Sequence, residues 1–445
     1  MPSLQRLKIN GLYGERDIDI PFLDNIKIIV AENGYGKTTV LNALYALASG
    51  NITRLRKLPF ETIEVNFDDG SKYLVDKKAL TFTGKMIEKN PFFEHIKRIL
   101  GEDEAVLLAE SFLQKSPGEF RSSPQFQAAR RKIDIPASAF YEYLGEIRKS
   151  VNNGTVISKA RDTLKSIRQK LGFNVLYLPT YRRVEQDFRD RRSSSENNEN
   201  SDNPYDDTIN FGMADVDSRI KELTSEILSS SVEWFSKVNG EMLGQLVEGF
   251  KVDENLKKSI QDPDAIKIVL DRIGANVKIE QKKQILKLIE TGDIFHGHDP
   301  LIYFISNLVK VYEQQRENDR SIQAFTEVCN RYLGDKKLEY NESLVSVRIV
   351  RRKNNREVDI ETLSSGEKQI ISLFCSLYLK RETNVAIFFD EPELSLSLEW
   401  QKTLLPDVMN SGRCGFLFAT THSPFIFEND LSRYAVDLGH YIKER

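Results

Sequence analysis

The chain has few of the residues that build metal centres and disulfide frameworks. Its 445 residues include three cysteines and five histidines, and Cys329, Cys375 and Cys414 lie far apart in the sequence. This spacing fits neither a zinc site nor a disulfide-stapled module, and it is typical of a protein from a reducing compartment. His296 and His298 have no cluster of carboxylates or thiols beside them, so we interpret both as loop residues.

Long apolar runs and a strong net charge are also missing. No segment approaches the roughly 18 consecutive apolar residues of a membrane helix, and residues 1–8 lack the apolar stretch of a secretory signal. We therefore expect a cytoplasmic protein without membrane contact. The 63 Lys and Arg residues against 66 Asp and Glu residues give a net charge of −3, which neither requires nor excludes a nucleic-acid partner.

The two ends of the chain follow an α/β pattern, and the middle is mostly helical. This pattern predicts an N-terminal lobe at residues 1–85, a helical insertion at 86–335 and a C-terminal lobe at 336–445. Within the insertion, residues 173–178 are typical of a buried strand that returns to the lobes, and 189–210 of a disordered loop. Further predicted elements are strands at 4–10, 18–20, 26–30, 385–389 and 415–419, hairpins at 61–75 and 338–351, and helices at 38–48, 304–332 and 366–380.

The segment from Ala31 to Thr38 lies between a predicted strand and a predicted helix, and it has the pattern of a P-loop. Gly34 and Gly36 allow backbone N–H groups to surround phosphate oxygens, and the N-terminus of the helix favours negative charge. We expect Lys37 to neutralise the β- and γ-phosphates and Thr38 to bind Mg²⁺. The alternative interpretation is a chance glycine turn. The predicted ATP-binding residues of this loop are Asn33, Gly34, Tyr35, Gly36, Lys37, Thr38 and Thr39.

A pair of carboxylates follows the apolar run at 385–389. We expect Asp390 to lie at a strand end beside the P-loop and to hold Mg²⁺, and Glu391 to deprotonate the attacking water. Taken alone, the pair followed by Pro392 also fits the start of an ordinary loop. His422 follows the strand predicted at 415–419, where we expect it to contact the γ-phosphate, although a single histidine is more often structural.

A second small-residue segment opens the helix predicted at 366–380. Its residues Ser364, Ser365 and Gly366 form another potential phosphate cradle. One nucleotide cannot use both cradles of one chain, so we expect this segment to contact ATP held by a second chain. The residues predicted to act in this way are Ser364, Ser365, Gly366 and Glu367.

Taken together, these motifs resemble those of the ATP-binding-cassette ATPases, in the order Walker A, signature, Walker B with its catalytic glutamate, D-loop and H-loop. The residues at 390–396 and 419–424 are similar to those of the soluble branch that includes structural-maintenance-of-chromosomes, RecF and OLD-type proteins. The resemblance implies an α/β, ABC-type P-loop ATPase head with a mixed or parallel sheet and flanking helices. It also implies ATP and Mg²⁺ as cofactors, and ATP enclosed between the heads of at least two copies.

The two halves of this head are unusually far apart in the sequence. Lys37 and Ser364 are separated by 327 positions, so a large helical insertion divides the head, and it lacks the long heptad arms of chromosome-maintenance proteins. Ala31, Ser365 and Glu367 replace the first P-loop glycine, the second signature glycine and the usual signature glutamine. These differences affect the expected turnover rate more than the expected binding of ATP.

Within this branch, the chain is similar to the ATPases of bacterial anti-phage systems, above all the AriA subunit of PARIS and, less closely, PtuA of Septu. The similarity depends on chain size, on the short insertion and on the segment from Leu178 to Arg183. It implies a homo-oligomeric sensor and scaffold that controls an effector nuclease of Toprim type, encoded separately, until a phage protein triggers release. Only 23 residues follow His422 in this sequence, so we expect the nuclease to be a separate chain.

The alternative function is that of a RecF- or SMC-like DNA-repair ATPase acting on DNA. Clusters of basic residues at Arg182–Arg183, Arg189–Arg192 and Arg351–Lys353 would serve this role, although such clusters are more often solvated surface. Sequence alone leaves both functions open.

Overall fold

The computed structural model describes residues 3–32, 34–80, 91–114, 120, 123–133, 140, 144–145, 155–179, 213–250, 252–273 and 277–445. The chain forms two compact units, one from Met1–Ile209 with Thr383–Arg445 and the other from Asn210–Glu382. The loop predicted at 189–210 lies outside the described residues. The three-segment division at 85 and 335 stays a prediction. Across the described ranges, no helix combines the length and apolar character needed to span a membrane.

A parallel sheet forms the centre of the first unit, in the order β11-β3-β10-β9-β6. Strand β9 is buried along its whole length, as expected of a parallel strand covered on both faces. The run predicted as a strand at 173–178 forms β6, which pairs in parallel with β9. The strands of this sheet are β3 (Ile26–Val30), β6 (Asn174–Leu178), β9 (Val385–Asp390), β10 (Cys414–Thr421) and β11 (Ala435–Asp437).

An antiparallel sheet packs in the same unit, in the order β12-β2-β1-β4-β5. Side chains of β4 alternate between partly buried and buried, the period-two pattern that predicted the hairpin at 61–75. Phe22 bridges the two sheets through its ring contacts with Phe416 and Phe418. The strands of this sheet are β1 (Leu4–Leu12), β2 (Arg16–Pro21), β4 (Thr62–Phe67), β5 (Lys72–Asp76) and β12 (Ile442–Glu444).

Helices flank these sheets. Helix α1 follows β3 directly and is buried along most of its length, while a separate cluster of phenylalanines forms the core of helices α4 to α6. The α/β fold class predicted from the sequence is confirmed. The helices of the first unit are α1 (Lys37–Ser49), α2 (Ile52–Lys57), α3 (Lys77–Leu80), α4 (Pro91–Leu100), α5 (Glu102–Gln114), α6 (Pro124–Lys132), α7 (Thr155–Leu171) and, after β9, α14 (Leu398–Asn410).

The second unit consists mainly of helices, of which two are long. Helices α8 and α12 have 36 and 31 residues and pack on each other, and a hairpin of β7 and β8 follows α12. The helix predicted at 366–380 begins at Ser365, and a π-helical turn replaces its end at Cys375–Leu379. The elements of this unit are α8 (Met213–Glu248), α9 (Glu254–Ser259), α10 (Pro263–Arg272), α11 (Ile279–Glu290), α12 (Asp299–Cys329), β7 (Lys336–Asn341), β8 (Ser346–Arg351) and α13 (Ser365–Phe374).

Candidate active site

The loop between β3 and α1 has the backbone geometry of a phosphate cradle. Gly34 and Gly36 have φ angles of 87° and 90°, a region that disfavours residues with a Cβ atom. A Cβ atom at Gly36 would lie 3.2 Å from Leu12 Cδ2, whereas one at Gly34 would meet nothing within 4 Å. The predicted contact residue Asn33 lies outside the described residues. Gly34 and Gly36 are therefore the loop positions whose backbone conformation favours glycine, whereas Ala31 stands at the first glycine of the pattern.

Lys37 begins helix α1, and its ammonium group lies inside this loop. The side chain is buried and donates hydrogen bonds to the carbonyl oxygens of Ala31 and Glu32, the latter at 3.1 Å. Its Nζ atom is also 3.0 Å from His422 Nδ1. Burial lowers the pKa of Lys37, and the opposing charge of nearby carboxylates, Glu391 first among them, limits this shift. These contacts hold the ammonium where a phosphate group on the cradle would meet it.

Thr38 and Asp390 meet although they are 352 positions apart. The Thr38 hydroxyl donates to Asp390 Oδ1 at 3.0 Å, and the buried Thr420 hydroxyl donates to the same oxygen at 2.8 Å. The meeting follows from the sheet, because β10 pairs in parallel with both β3 and β9 and their carboxyl ends share one edge. Thr420 was not among the predicted residues.

Glu391 and His422 lie next to this pair. Glu391 has a φ angle of 51°, uncommon for a non-glycine residue, and its N–H donates to the Thr420 carbonyl at 2.9 Å. His422 Nε2 lies 3.3 Å from Glu391 Oε1. Lysine offers only N–H donors, so we assign His422 Nδ1 as the acceptor from Lys37, an assignment that places a ring proton on Nε2, facing Glu391. Burial raises the pKa of the Glu391 carboxyl, and the neighbouring carboxylates of Asp390 and Glu393 act in the same direction.

A third carboxylate, Glu393, was missed as a site residue. Its Oε1 atom accepts from the His422 N–H at 2.9 Å, and its Oε2 atom accepts from the Thr421 hydroxyl at 2.8 Å. The side chain is 7% exposed. This third acidic residue, three positions after Asp390, was visible in the sequence, but only the packing of β9 against β10 reveals its partners.

Tyr35 and Thr39, predicted to contact ATP, lie at the surface of the same unit. Tyr35 is exposed, and the guanidinium of Arg16 lies 5.5 Å from its ring centroid. The Tyr13 hydroxyl and Thr39 Oγ1 are 2.7 Å apart. Each of these two residues therefore contacts another side chain of the protein, Tyr35 through Arg16 and Thr39 through Tyr13.

The signature segment belongs to the second unit and starts helix α13. Ser364 is the N-cap, and it forms a capping box with Glu367 in which each side chain bonds the other's backbone N–H. Ser364 and Ser365 are exposed, whereas Gly366 and Glu367 are buried. Both Glu367 carboxylate oxygens bind Lys336 Nζ, at 3.0 and 3.1 Å. The placement of Glu367 does not support the predicted nucleotide contact, because its carboxylate is committed to the cap and to Lys336.

The residues at the carboxyl edge of the parallel sheet fit a magnesium-bound triphosphate. The loop supplies glycines in the conformation of a cradle and an ammonium group, and Thr38 and Asp390 supply the oxygen atoms that Mg²⁺ prefers. Glu391 supplies a carboxylate whose raised pKa suits a base.

A parallel sheet with this loop and these carboxylates at its edge defines a P-loop nucleoside triphosphatase. The chain belongs to the AAA_15 family, described as an AAA ATPase domain, which matches residues 3–427. The prediction of an ATPase is therefore confirmed, and the family implies binding of ATP.

Solved structures of Smc heads are similar to this chain. The Smc head domain with an extended coiled coil, bound to the C-terminal domain of ScpA, from Pyrococcus furiosus is 12% identical, with 96% of this chain and 91% of that chain covered and a TM-score of 0.36. The Smc head domain with a coiled coil and joint from Pyrococcus yayanosii is 13% identical, with 96% and 93% covered and a TM-score of 0.29. A comparison with curated proteins finds no match.

Proposed function

We propose that the protein binds and hydrolyses Mg²⁺-ATP between the heads of two or more copies, and that the nucleotide state controls assembly with a separate effector. The observation that carries this proposal is the convergence of Lys37, Thr38, Asp390, Glu391 and His422 at one sheet edge. Three distant segments of the chain supply these side chains. A purely structural P-loop would not need a carboxylate base beside it.

Each residue has a distinct role in the proposed hydrolysis. Backbone N–H groups at Gly34 and Gly36 bind phosphate oxygens, and Lys37 neutralises the β- and γ-phosphates. Thr38 and Asp390 hold Mg²⁺, which supplies positive charge to the phosphate oxygens when it is bound. Glu391 accepts the proton of the attacking water, and His422 Nε2 carries the proton that faces this carboxylate.

The signature segment completes the proposed site from a second copy. Ser364 and Ser365 are exposed at the N-terminus of α13, where backbone N–H groups and the helix dipole favour a phosphate. Gly366 allows close approach of the backbone. Dimerisation of heads is therefore part of the proposal, and the number of copies is at least two.

The proposed biological role is that of a cytoplasmic sensor and scaffold in bacterial anti-phage defence, of the AriA type. In this role the oligomer holds a Toprim-type nuclease until a phage protein is recognised. The similarity of the motifs to such ATPases supports this role. The binding of the nuclease and of the trigger is part of the proposal.

The DNA-repair alternative has less support from the basic cluster at 351–353. Arg351 forms an ion pair with Asp335, and Arg352 donates to the carbonyl oxygens of Asn330 and Leu333 at the end of α12. Arg352 therefore joins the hairpin to the segment that follows α12, and Arg351 pairs with the residue before β7. The clusters at 182–183 and 189–192 lie outside the described residues.

Calorimetry with a matched pair of variants tests the nucleotide site. Lys37→Met should abolish measurable ATP binding, because the ammonium is the cation of the cradle. Lys27→Met is the control, since Lys27 is also buried, in β3, and its ammonium contacts the Tyr441 hydroxyl at 3.5 Å and the rings of Phe22 and Tyr441, all outside the loop. Equal ATP affinity in Lys37→Met and the parent protein would count against the P-loop assignment.

A second experiment separates the two roles. Co-purification with the nuclease encoded beside this gene, in an ATP-dependent complex, would support the sensor. Stimulation of ATP hydrolysis by duplex DNA, with binding that weakens steeply as salt increases, would instead support the repair alternative.

A further inference from the structure

Glu393 is a buried carboxylate that the proposed hydrolysis does not use. Its side chain lies in the turn after β9, is 7% exposed, and accepts hydrogen bonds from the His422 N–H and the Thr421 hydroxyl. Burying a carboxylate is costly unless hydrogen bonds or charges compensate. Here two hydrogen bonds compensate this cost, and they use both oxygens of the side chain, so the length and position of the side chain matter for both contacts.

The contacts of Glu393 join the two loops that carry Glu391 and His422. A second contact joins the same loops, because Gln401 donates to the Leu396 carbonyl at 3.0 Å and accepts from the Ser423 hydroxyl at 2.6 Å. Gln401 holds the ends of the loops, whereas Glu393 bonds the backbone of His422 itself. The hydrogen bond to Glu393 therefore fixes the main chain of the residue that carries the imidazole.

The position of this imidazole has little freedom. Its Nδ1 atom is 3.0 Å from Lys37 Nζ, and its Nε2 atom is 3.3 Å from Glu391 Oε1. A shift of the His422 backbone would break at least one of these contacts, because the ring is rigid and both nitrogens are engaged. Small displacements of groups at a reaction centre reduce rates strongly.

We infer that Glu393 is a positioning residue, whose carboxylate fixes the backbone of His422 so that the imidazole lies between Lys37 and Glu391. The inference rests on the proposed ATP hydrolysis for its effect on rate, and on the hydrogen bonds for its effect on the imidazole. Glu393 acts through His422 and does not touch the reacting atoms.

Two variants separate the position of the carboxylate from its charge. Glu393→Gln keeps an oxygen for the His422 N–H and offers an NH₂ group to the Thr421 hydroxyl, which can accept it, so both contacts remain without the charge. Glu393→Asp keeps the charge but withdraws the oxygens by one methylene. Glu339→Asp is the control, because it makes the same one-methylene change at an ion-paired glutamate of the other unit.

The first readout follows His422 directly and needs no hydrolysis. In protein with ¹⁵N-labelled histidine, five histidine side chains are present, and His422→Ala identifies the signals of His422. We expect one tautomer, with the proton on Nε2, in the parent protein and in Glu393→Gln. Glu393→Asp should give averaged or broadened ring signals. Unchanged His422 signals in Glu393→Asp would overturn the inference.

The second readout is ATP hydrolysis. Glu393→Asp should lower kcat by about 10-fold to 10²-fold, the size expected for a misplaced catalytic group, and leave KM within about twofold. Glu393→Gln should stay near the parent rate, and Glu393→Asp should have no further effect in the His422→Ala background. A low rate in Glu393→Gln with a normal rate in Glu393→Asp would mean that charge matters and would overturn the inference.

The two readouts distinguish failure of the inference from failure of the proposed function. If the parent protein does not hydrolyse ATP, the proposed function fails, and the tautomer of His422 still decides whether Glu393 positions the ring. If the parent protein hydrolyses ATP and Glu393→Asp matches it in rate, only the inference fails.

Discussion

Replacing Lys336 by methionine should weaken the start of helix α13, because Lys336 is the charge partner of Glu367. The Lys336 and Glu367 side chains are 14% and 6% exposed, and Nζ contacts both carboxylate oxygens. Burial alone would lower the pKa of Lys336, but the hydrogen bonds and charge of Glu367 raise it. The pair therefore contributes its full stabilisation of the fold at pH values below the usual lysine pKa. This stabilisation is lost only as the pH rises through the raised pKa of Lys336.

The expected cost follows from what remains after the change. Removing one partner of a buried ion pair costs about 3–5 kcal/mol. Here Glu367 keeps the hydrogen bond from the Ser364 N–H at 2.8 Å, so we expect Lys336→Met to lower the free energy of unfolding by about 2–4 kcal/mol. Glu367→Gln should cost only about 1 kcal/mol, since an amide oxygen can still accept from Ser364.

Urea unfolding and hydrogen exchange of the amides in α13 measure this prediction. The double variant Lys336→Met with Glu367→Gln should lose less than the sum of the single variants, because the uncompensated carboxylate is gone. The control is Arg348→Met, which breaks an exposed pair with Glu339 in the same hairpin and should change stability by less than about 0.5 kcal/mol. Strictly additive losses, or exchange in α13 unaffected by Lys336→Met, would refute the reasoning.

Three further predictions concern the other polar contacts. Thr38→Val removes the hydroxyl bonded to Asp390 and should raise the Mg²⁺ concentration needed for half-maximal ATP binding about tenfold. Calorimetry at several Mg²⁺ concentrations measures this shift, and coinciding binding curves for the variant and the parent protein would contradict it. Gly36→Ala places a Cβ atom at a φ angle of 90°, and the resulting backbone strain in the loop should cost about 1–2 kcal/mol. We expect the variant to lose ATP affinity while keeping a native circular dichroism spectrum. Full ATP affinity would contradict the account. Arg272→Met leaves the buried Asp319 without the guanidinium nitrogen that contacts both its oxygens, and it should reduce the free energy of unfolding in urea by about 3–5 kcal/mol. A loss below about 1 kcal/mol would show that the pair matters little.

The parts of the site that lie within one short segment of the chain could be predicted from the sequence. The P-loop is contiguous and is framed by a strand and a helix, so Gly34, Gly36, Lys37 and Thr38 follow from local pattern alone. Asp390 and His422 were placed beside it by the rule that the carboxyl ends of parallel strands share one edge. Their roles in ATP hydrolysis stay predictions.

Other features depend on contacts between distant residues, which no local pattern records. Glu393 and Thr420 are ordinary polar residues in the sequence, and they become site residues only because β9 and β10 are neighbours. Glu367 was predicted to contact the nucleotide because it lies in the signature segment. Its partner Lys336 lies 31 positions away, so the pairing of the two side chains was not visible in the sequence. Strands β11 and β12 were missed because each has three residues, too short for an alternating pattern, and each is fixed by pairing with an earlier strand.

The most direct test of the central claim is the mass of the Glu391→Gln variant in solution, measured by light scattering with and without Mg²⁺-ATP. Loss of the proposed base should cut turnover by about 10²–10⁴ and leave ATP enclosed between heads, so the mass should at least double when ATP is added. Ser364→Arg in the same background should bind ATP and keep the mass seen without ATP, because the second copy can no longer close the site. An unchanged mass of Glu391→Gln with bound ATP would contradict the account.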